Sequence, residues 1–149
     1  MKPSLRAGLK HSFSYHVPET KTVPYLYAES PQLQAMPAVF ATGFMVGLME
    51  WTCVQLLEPH LDQGEGSLGT HIDISHKSAT PPGFTVTVEA ECVEVRGPRA
   101  RFKIVAHDGM DEIGSGTHER FIVSWDRFNR GLAAKLAKAQ AKGETAEAR

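Results

Sequence analysis

The chain has 149 residues, with 16 basic and 17 acidic side chains and a formal net charge of −1. This near balance gives no basic surface of the kind that binds nucleic acid, and the 42% apolar content argues against disorder. We expect one main domain over residues 1–130 and a polar C-terminal helix or tail, partly disordered, over 131–149. The two cysteines, Cys53 and Cys92, are predicted to be buried thiols, which fits a reducing, cytoplasmic environment.

The N-terminal segment is basic and lacks an apolar stretch, so it does not predict a secretory signal. Residues 11–17 alternate loosely between polar and apolar side chains, which indicates a short strand. Residues 18–37 contain prolines at a spacing that forbids a long helix or a central strand. Because this segment is too apolar for a disordered loop, we expect a lid packed over another part of the molecule.

The most apolar part of the chain is residues 40–57, FATGFMVGLMEWTCVQLL. Its apolar side chains point in nearly every direction around a helix, so we expect a central helix that is buried on all sides. Glu50 lies in this run, and a carboxylate is rarely buried without a partner or a task. The same residue argues against a membrane span, since it would cost roughly 3 kcal/mol at the centre of a bilayer. Glu50 is therefore the first candidate functional residue.

A glycine-rich stretch follows the central helix. Residues 64–69 match the G-x-G-x-x-G pattern of dinucleotide-binding proteins. That pattern requires a strand before it and a helix after it, and here the order is reversed, so we exclude a dinucleotide-binding fold. Residues 70–76 alternate strictly, which predicts a strand that carries His76 on the same face as two isoleucines.

Three more strands are predicted, over residues 84–92, 102–106 and 112–125. The phase of the alternation changes at Val93, which indicates a β-bulge. In the last strand, two glycines share a face with Arg120 and predict close approach of another backbone or a ligand. The elements together predict an α+β domain of the hot-dog type: an antiparallel sheet of about five strands wrapped around one long buried helix, with a Pro-rich lid.

Four motifs carry a resemblance to a known family. They are ATGFMVGLMEW (41–51), GEGSLGT (64–70), H-x-x-x-T-P-P-G (76–83) and HDG-x-DEIGSGTHER (107–120), in this order. The chain thereby resembles the fluoroacetyl-CoA thioesterase group of the hot-dog thioesterases. The resemblance implies hydrolysis of an acyl-CoA thioester by a homodimer that uses no metal and no cofactor.

The resemblance also implies a set of site residues. Thr42, Glu50 and His76 match the reacting residues of the family. Gly69 and Arg120 match positions that contact substrate.

The Pro-rich segment departs from the family pattern. Leu33 and Met36 align with positions at which the fluoroacetyl-CoA enzyme carries aromatic residues. A methionine makes a flexible, adaptable wall in place of a rigid ring. We therefore expect a thioesterase that accepts fluoroacetyl-CoA but discriminates less sharply against acetyl-CoA.

The roles of the site residues stay open at this level. Glu50 could attack the thioester carbonyl or activate a water, and His76 could act as general base or as acid to the leaving thiolate. Thr42 is equally suited to cap the helix, and a straight helix would place it about 12 Å from Glu50. It therefore either precedes the helix or belongs to a site completed across a dimer interface. Gly69 is a turn residue or an oxyanion donor. Arg120 is a solvated surface side chain, or it binds acidic groups of the substrate or holds the carboxylate site in place.

Two other functions remain open. A hot-dog hydratase or dehydratase also pairs a histidine with a carboxylate, and a non-catalytic acyl-CoA binding protein could share the pocket. The histidine spacings match no zinc pattern, so no metal site is expected.

Overall fold

The computed structural model describes residues 1–147 of the chain. These residues form five strands and three α-helices. Their bounds are β1 (Lys10–His16), α1 (Pro31–Gln34), α2 (Thr42–Leu57), β2 (Glu65–His76), β3 (Thr85–Arg96), β4 (Arg99–His107), β5 (Glu112–Ser124) and α3 (Trp125–Glu147).

The five strands form one antiparallel sheet in the order β1-β3-β4-β5-β2, which confirms the predicted number of strands around one long helix. Strand β2 begins at Glu65, so the glycine-rich stretch that we expected to precede the strand forms its first half. It pairs with β5 on one side and is an edge strand of the sheet on the other. Its register with β5 shifts between Gly69 and His71, so a bulge lies halfway along this edge.

Helix α2 lies across the sheet, and seven of its residues are buried. Its inward side chains pack with the alternate residues of β3 and β4 that face the helix, such as Val88, Phe102 and Ile104. The outward side is uncovered at Gly43, Gly47, Trp51 and Val54, which we call the open stripe. The expectation of burial on all sides is therefore wrong for a single chain. One sheet covers only one side of a helix, and a helix that is apolar all round does not indicate which side stays open.

The Pro-rich segment over which the lid is predicted is residues 18–37. Thr22 is buried, but most side chains of residues 25–37 are exposed. The segment is fixed at its ends, where Val23 N–H donates to the Val39 carbonyl and Phe40 N–H donates to the Thr80 carbonyl. Between these points Tyr27 is exposed and Met36 is 48% exposed. The prediction of a closed lid is not confirmed.

Local features of the strands agree with the sequence. The register of β3 with β4 shifts between Cys92 and Glu94, which confirms the bulge predicted at Val93. A Cβ on Gly114 would lie 2.8 Å from Met45 Cε, and one on Gly116 would lie 1.9 Å from the Asp73 carbonyl oxygen. These two glycines therefore allow α2 and β2 to approach β5 closely, as predicted. Both cysteines are buried and free.

The last strand ends at Ser124, one residue before its predicted end, and Trp125 begins α3. The Trp125 ring lies against Gly66, where a Cβ would come within 1.9 Å of Trp125 Cζ2. The proposed domain limit at residue 130 falls inside this helix, and residues 148–149 of the predicted tail lie outside the described part of the chain. Within residues 1–147, no helix has the length and apolar character that a membrane crossing requires.

Candidate active site

Thr42 on α2 and His76 at the end of β2 form the first of two polar groups that lie along α2. The residue that caps the helix is Ala41, so Thr42 lies in the first helical turn and is not the N-cap. Its hydroxyl is hydrogen-bonded at 2.7 Å to Nδ1 of His76, which is the last residue of β2. A cavity of about 250 Å³ adjoins this pair, with Val23 and Val39 of the Pro-rich segment in its wall.

The other ring nitrogen of His76, Nε2, is buried and has no hydrogen-bond partner within residues 1–147. Buried polar atoms in proteins are nearly always paired, so an unpaired ring nitrogen beside a cavity is typical of a group that acts on something else. Imidazole can accept or donate a proton near neutral pH. Thr42 thus holds one nitrogen of His76, and the other nitrogen is left without a partner.

Glu50 forms the second group. Its Oε1 lies 3.5 Å from Arg120 Nη1 and 3.7 Å from His118 Nε2. The Glu50 side chain is 40% exposed, so the predicted full burial is wrong for a single chain, because Glu50 borders the open stripe. The Arg120 side chain is only 7% exposed, which excludes a solvated surface arginine.

Each nitrogen of Arg120 has a partner. Nε donates to Ser67 Oγ at 2.9 Å, Nη2 donates to the Ser67 carbonyl at 2.8 Å, and Nη1 donates to His118 Nε2 at 3.1 Å. Burial lowers the pKa of Arg120 and the Glu50 carboxylate acts in the opposite direction, but an arginine remains charged at neutral pH. The cluster therefore presents a fixed positive charge to Glu50.

Gly69 belongs to this second group and lies in strand β2, so the turn interpretation is wrong. A Cβ at this position would lie 2.5 Å from Glu50 Oε1 and 3.1 Å from His118 Cε1. Glycine is therefore what allows the carboxylate to lie against the β2 backbone.

The sequence did not single out Ser67 or His118 as functional. His118 precedes Arg120 by two residues, and side chains two apart in a strand share a face. The sequence therefore places His118 on the same face as Arg120 without giving it a role, whereas the partnership with Ser67 depends on the pairing of β2 with β5.

The two groups do not meet within one chain. Eight residues of α2 separate Thr42 from Glu50, which corresponds to about 12 Å along the helix axis. Leu33 and Met36 are not among the residues that line the cavity beside Thr42 and His76. In the described residues, no three metal-binding side chains cluster in a way that could hold an ion.

Comparisons with known proteins identify the family. Residues 20–126 match the family of fluoroacetyl-CoA-specific thioesterases. The chain is 53% identical over 135 residues to the fluoroacetyl-CoA thioesterase of Streptantibioticus cattleyicolor, an alignment that covers 91% of this chain and 97% of that protein.

Solved structures of related proteins are similar to this chain in fold. A mutant of the fluoroacetyl-CoA-specific thioesterase FlK, in complex with fluoroacetate and CoA, is 55% identical and has a TM-score of 0.82, covering 83% of this chain and 99% of that one. A hot-dog-like protein from Thermanaerovibrio acidaminovorans, 22% identical with a TM-score of 0.75 over 90% and 93% of the two chains, shares the fold. The chain belongs to the fluoroacetyl-CoA-specific thioesterase family and is a thioester hydrolase with the hot-dog fold.

Proposed function

We propose that this enzyme hydrolyses short acyl-CoA thioesters, with fluoroacetyl-CoA among its substrates, to the free acid and CoA. The observation that carries the proposal is the Thr42–His76 hydrogen bond, which leaves His76 Nε2 unpaired beside a cavity. The reaction breaks the acyl carbon–sulfur bond and adds the elements of water. It needs no redox partner, and we assign it no metal and no cofactor.

In the proposed mechanism, Glu50 either attacks the thioester carbonyl to give a mixed anhydride, which water then hydrolyses, or takes a proton from the attacking water. His76 Nε2 supplies a proton to the departing CoA sulfur, or accepts one from water, while Thr42 fixes the ring through Nδ1. Arg120 holds the Glu50 carboxylate and offers a cationic partner for oxygen atoms of the substrate. Gly69 lets the Glu50 carboxylate lie against the β2 backbone, and we assign its N–H as the oxyanion donor on the basis of the family pattern.

We further propose that the working unit is a homodimer. The open stripe of α2 and the unpaired edge of β2 are the features that a second copy would cover. A two-fold axis that crosses α2 near Val46 would place Thr42 level with Glu50 of the partner subunit, because residue 46 lies midway between positions 42 and 50. Each site would then combine Thr42 and His76 of one protomer with Glu50 of the partner subunit.

A thiol-release assay tests the activity. Fluoroacetyl-CoA, acetyl-CoA and longer acyl-CoAs are each incubated with the enzyme, and free CoA is followed with a thiol reagent. We expect turnover with short acyl groups. A hydratase or dehydratase would change the acyl chain without releasing thiol, and a binding protein would retain the thioester intact.

Mixing two inactive variants tests the shared site. Glu50→Gln and His76→Ala protomers are unfolded together and refolded, so that half of the dimers are mixed. One of the two sites in a mixed dimer carries both native residues, so about a quarter of the native activity should return. Each variant refolded alone is the control, and no gain on mixing would mean that the residues act within one chain or not at all.

We assign Leu33 and Met36 of the Pro-rich segment to the wall that selects the acyl group, on the basis of the family pattern. We place the enzyme in the cytoplasm, because its two buried cysteines are free, as is usual in a reducing compartment.

A further inference from the structure

The buried ring of His118 is held in one protonation form by its neighbours. Its Nδ1 lies 2.8 Å from the His71 carbonyl oxygen, which can only accept a hydrogen bond. Its Nε2 lies 3.1 Å from Arg120 Nη1, which can only donate one. The hydrogen of the neutral ring is therefore on Nδ1, and Nε2 is the acceptor.

The surroundings of His118 favour this neutral ring. The residue is 1% exposed, and burial lowers its pKa. The hydrogen bond to the His71 carbonyl on β2 acts in the opposite direction, Arg120 on its own strand lowers the pKa, and Glu50 on α2 and Glu119 on β5 raise it. A ring whose pKa lies below its usual range is neutral at pH 7.

The acceptor nitrogen of His118 contacts the same arginine nitrogen that faces Glu50. Two bonds to Ser67 fix the Nε and Nη2 side of the guanidinium, and the bond to His118 fixes Nη1. It is Nη1 that lies 3.5 Å from Glu50 Oε1. If His118 carried a hydrogen on Nε2, that hydrogen would face an arginine N–H, and the ring would compete with Arg120 for the Glu50 carboxylate 3.7 Å away.

We propose that His118 is a positioning residue for thioester hydrolysis, in which its unprotonated Nε2 aims Arg120 at Glu50 and thereby fixes the carboxylate. The inference rests on the proposed role of Glu50 in the reaction. It assigns no contact with substrate to His118. The His71 carbonyl selects the tautomer, His118 orients the arginine, and the arginine orients the carboxylate.

A pair of substitutions separates the acceptor from the bulk of the ring. His118→Gln can place a carbonyl oxygen near the Nε2 position, whereas His118→Leu keeps the bulk and removes the acceptor. We expect His118→Leu to lower kcat at least about tenfold with KM changed less than about threefold, and His118→Gln to restore kcat to within about threefold of native. His107→Gln, the same change at the end of β4, is the control and should leave both constants unchanged.

The kinetic constants of the two His118 variants can contradict the proposal in two ways. Equal loss in the Gln and Leu variants, or a change in KM alone, would overturn the positioning role. Thermal melting of each variant shows whether it is folded.

The tautomer is tested in the native protein without any activity measurement. In ¹⁵N NMR of the labelled enzyme at pH 7, we expect the His118 ring to carry its hydrogen on Nδ1 and to show an unprotonated Nε2. A hydrogen on Nε2 would overturn the proposal even if every variant were unfolded. Absence of thiol release by the native enzyme would instead contradict the proposed function, so the two failures can be told apart.

Discussion

The two polar groups along α2 are built in different ways. Thr42 and His76 form a single hydrogen bond at the start of the helix, and one ring nitrogen is left unpaired. Glu50 instead contacts a buried cluster in which every nitrogen of Arg120 already has a partner. The first group leaves a buried ring nitrogen without a partner, whereas the second holds a fixed positive charge beside a carboxylate. In the proposed mechanism the first group exchanges a proton with the substrate, and the second keeps the Glu50 carboxylate in a fixed position.

Removal of the Glu50 carboxylate should have the largest effect. We expect Glu50→Gln to lower kcat for thiol release by a factor on the order of 10³, because the attacking or proton-accepting group is lost. The fold should be retained, since Glu50 is partly exposed and glutamine has nearly the same shape. Thiol release and thermal melting measure the two effects. Normal turnover in this variant would mean that the second group plays no part in the reaction.

Loss of the His76 ring should have the next largest effect. We expect His76→Ala to lower kcat by a factor on the order of 10², with little change in KM, because proton transfer is affected more than binding. Steady-state kinetics separate the two constants. A rise in KM alone would assign His76 to substrate binding and remove the contrast between the two groups.

Both chemical groups were visible in the sequence for a physical reason. Glu50 interrupts an apolar run, and His76 follows two isoleucines in a strict alternation. The hot-dog arrangement was also predictable, because one apolar helix and five alternating segments leave few ways to build a core. Such patterns are local, so a single chain displays them.

The supporting contacts were not predictable, because they depend on how distant segments pair. Ser67 and Arg120 are 53 residues apart, and their contact depends on the order of the strands and on the bulge between Gly69 and His71. The open stripe was missed because its side of α2 is no less apolar than the buried side. Only the sheet decides which side is covered.

A smaller change can displace the carboxylate without removing it. In Gly69→Ala the added methyl group would lie 2.5 Å from Glu50 Oε1, so the carboxylate must move while the strand stays extended. We expect kcat to fall about tenfold and the melting temperature to change little. Gly66→Ala is a useful contrast, because its methyl group would meet the Trp125 ring and should lower stability instead. The same melting change in both variants would argue against a local effect on Glu50.

The smallest expected effect concerns the Pro-rich segment. We expect Met36→Phe to raise the preference for fluoroacetyl-CoA over acetyl-CoA a few-fold, because a rigid ring replaces a flexible wall. The ratio of kcat/KM for the two thioesters is the measurement, and Gln32→Ala in the same segment is the control. If the native enzyme already rejects acetyl-CoA by many orders of magnitude and Met36→Phe changes nothing, the segment does not select the acyl group.

The two tryptophans can report on different parts of the structure by their intrinsic fluorescence. Trp51 lies on the open stripe, 48% exposed and in edge contact with Phe13, so its emission should shift to shorter wavelength when a second chain covers the helix. Trp125 is pressed against Gly66, and its emission reports whether α3 remains docked on β2. With Trp125→Phe and Trp51→Phe, subunit association and detachment of the C-terminal helix become separately observable in dilute solution, without an added dye.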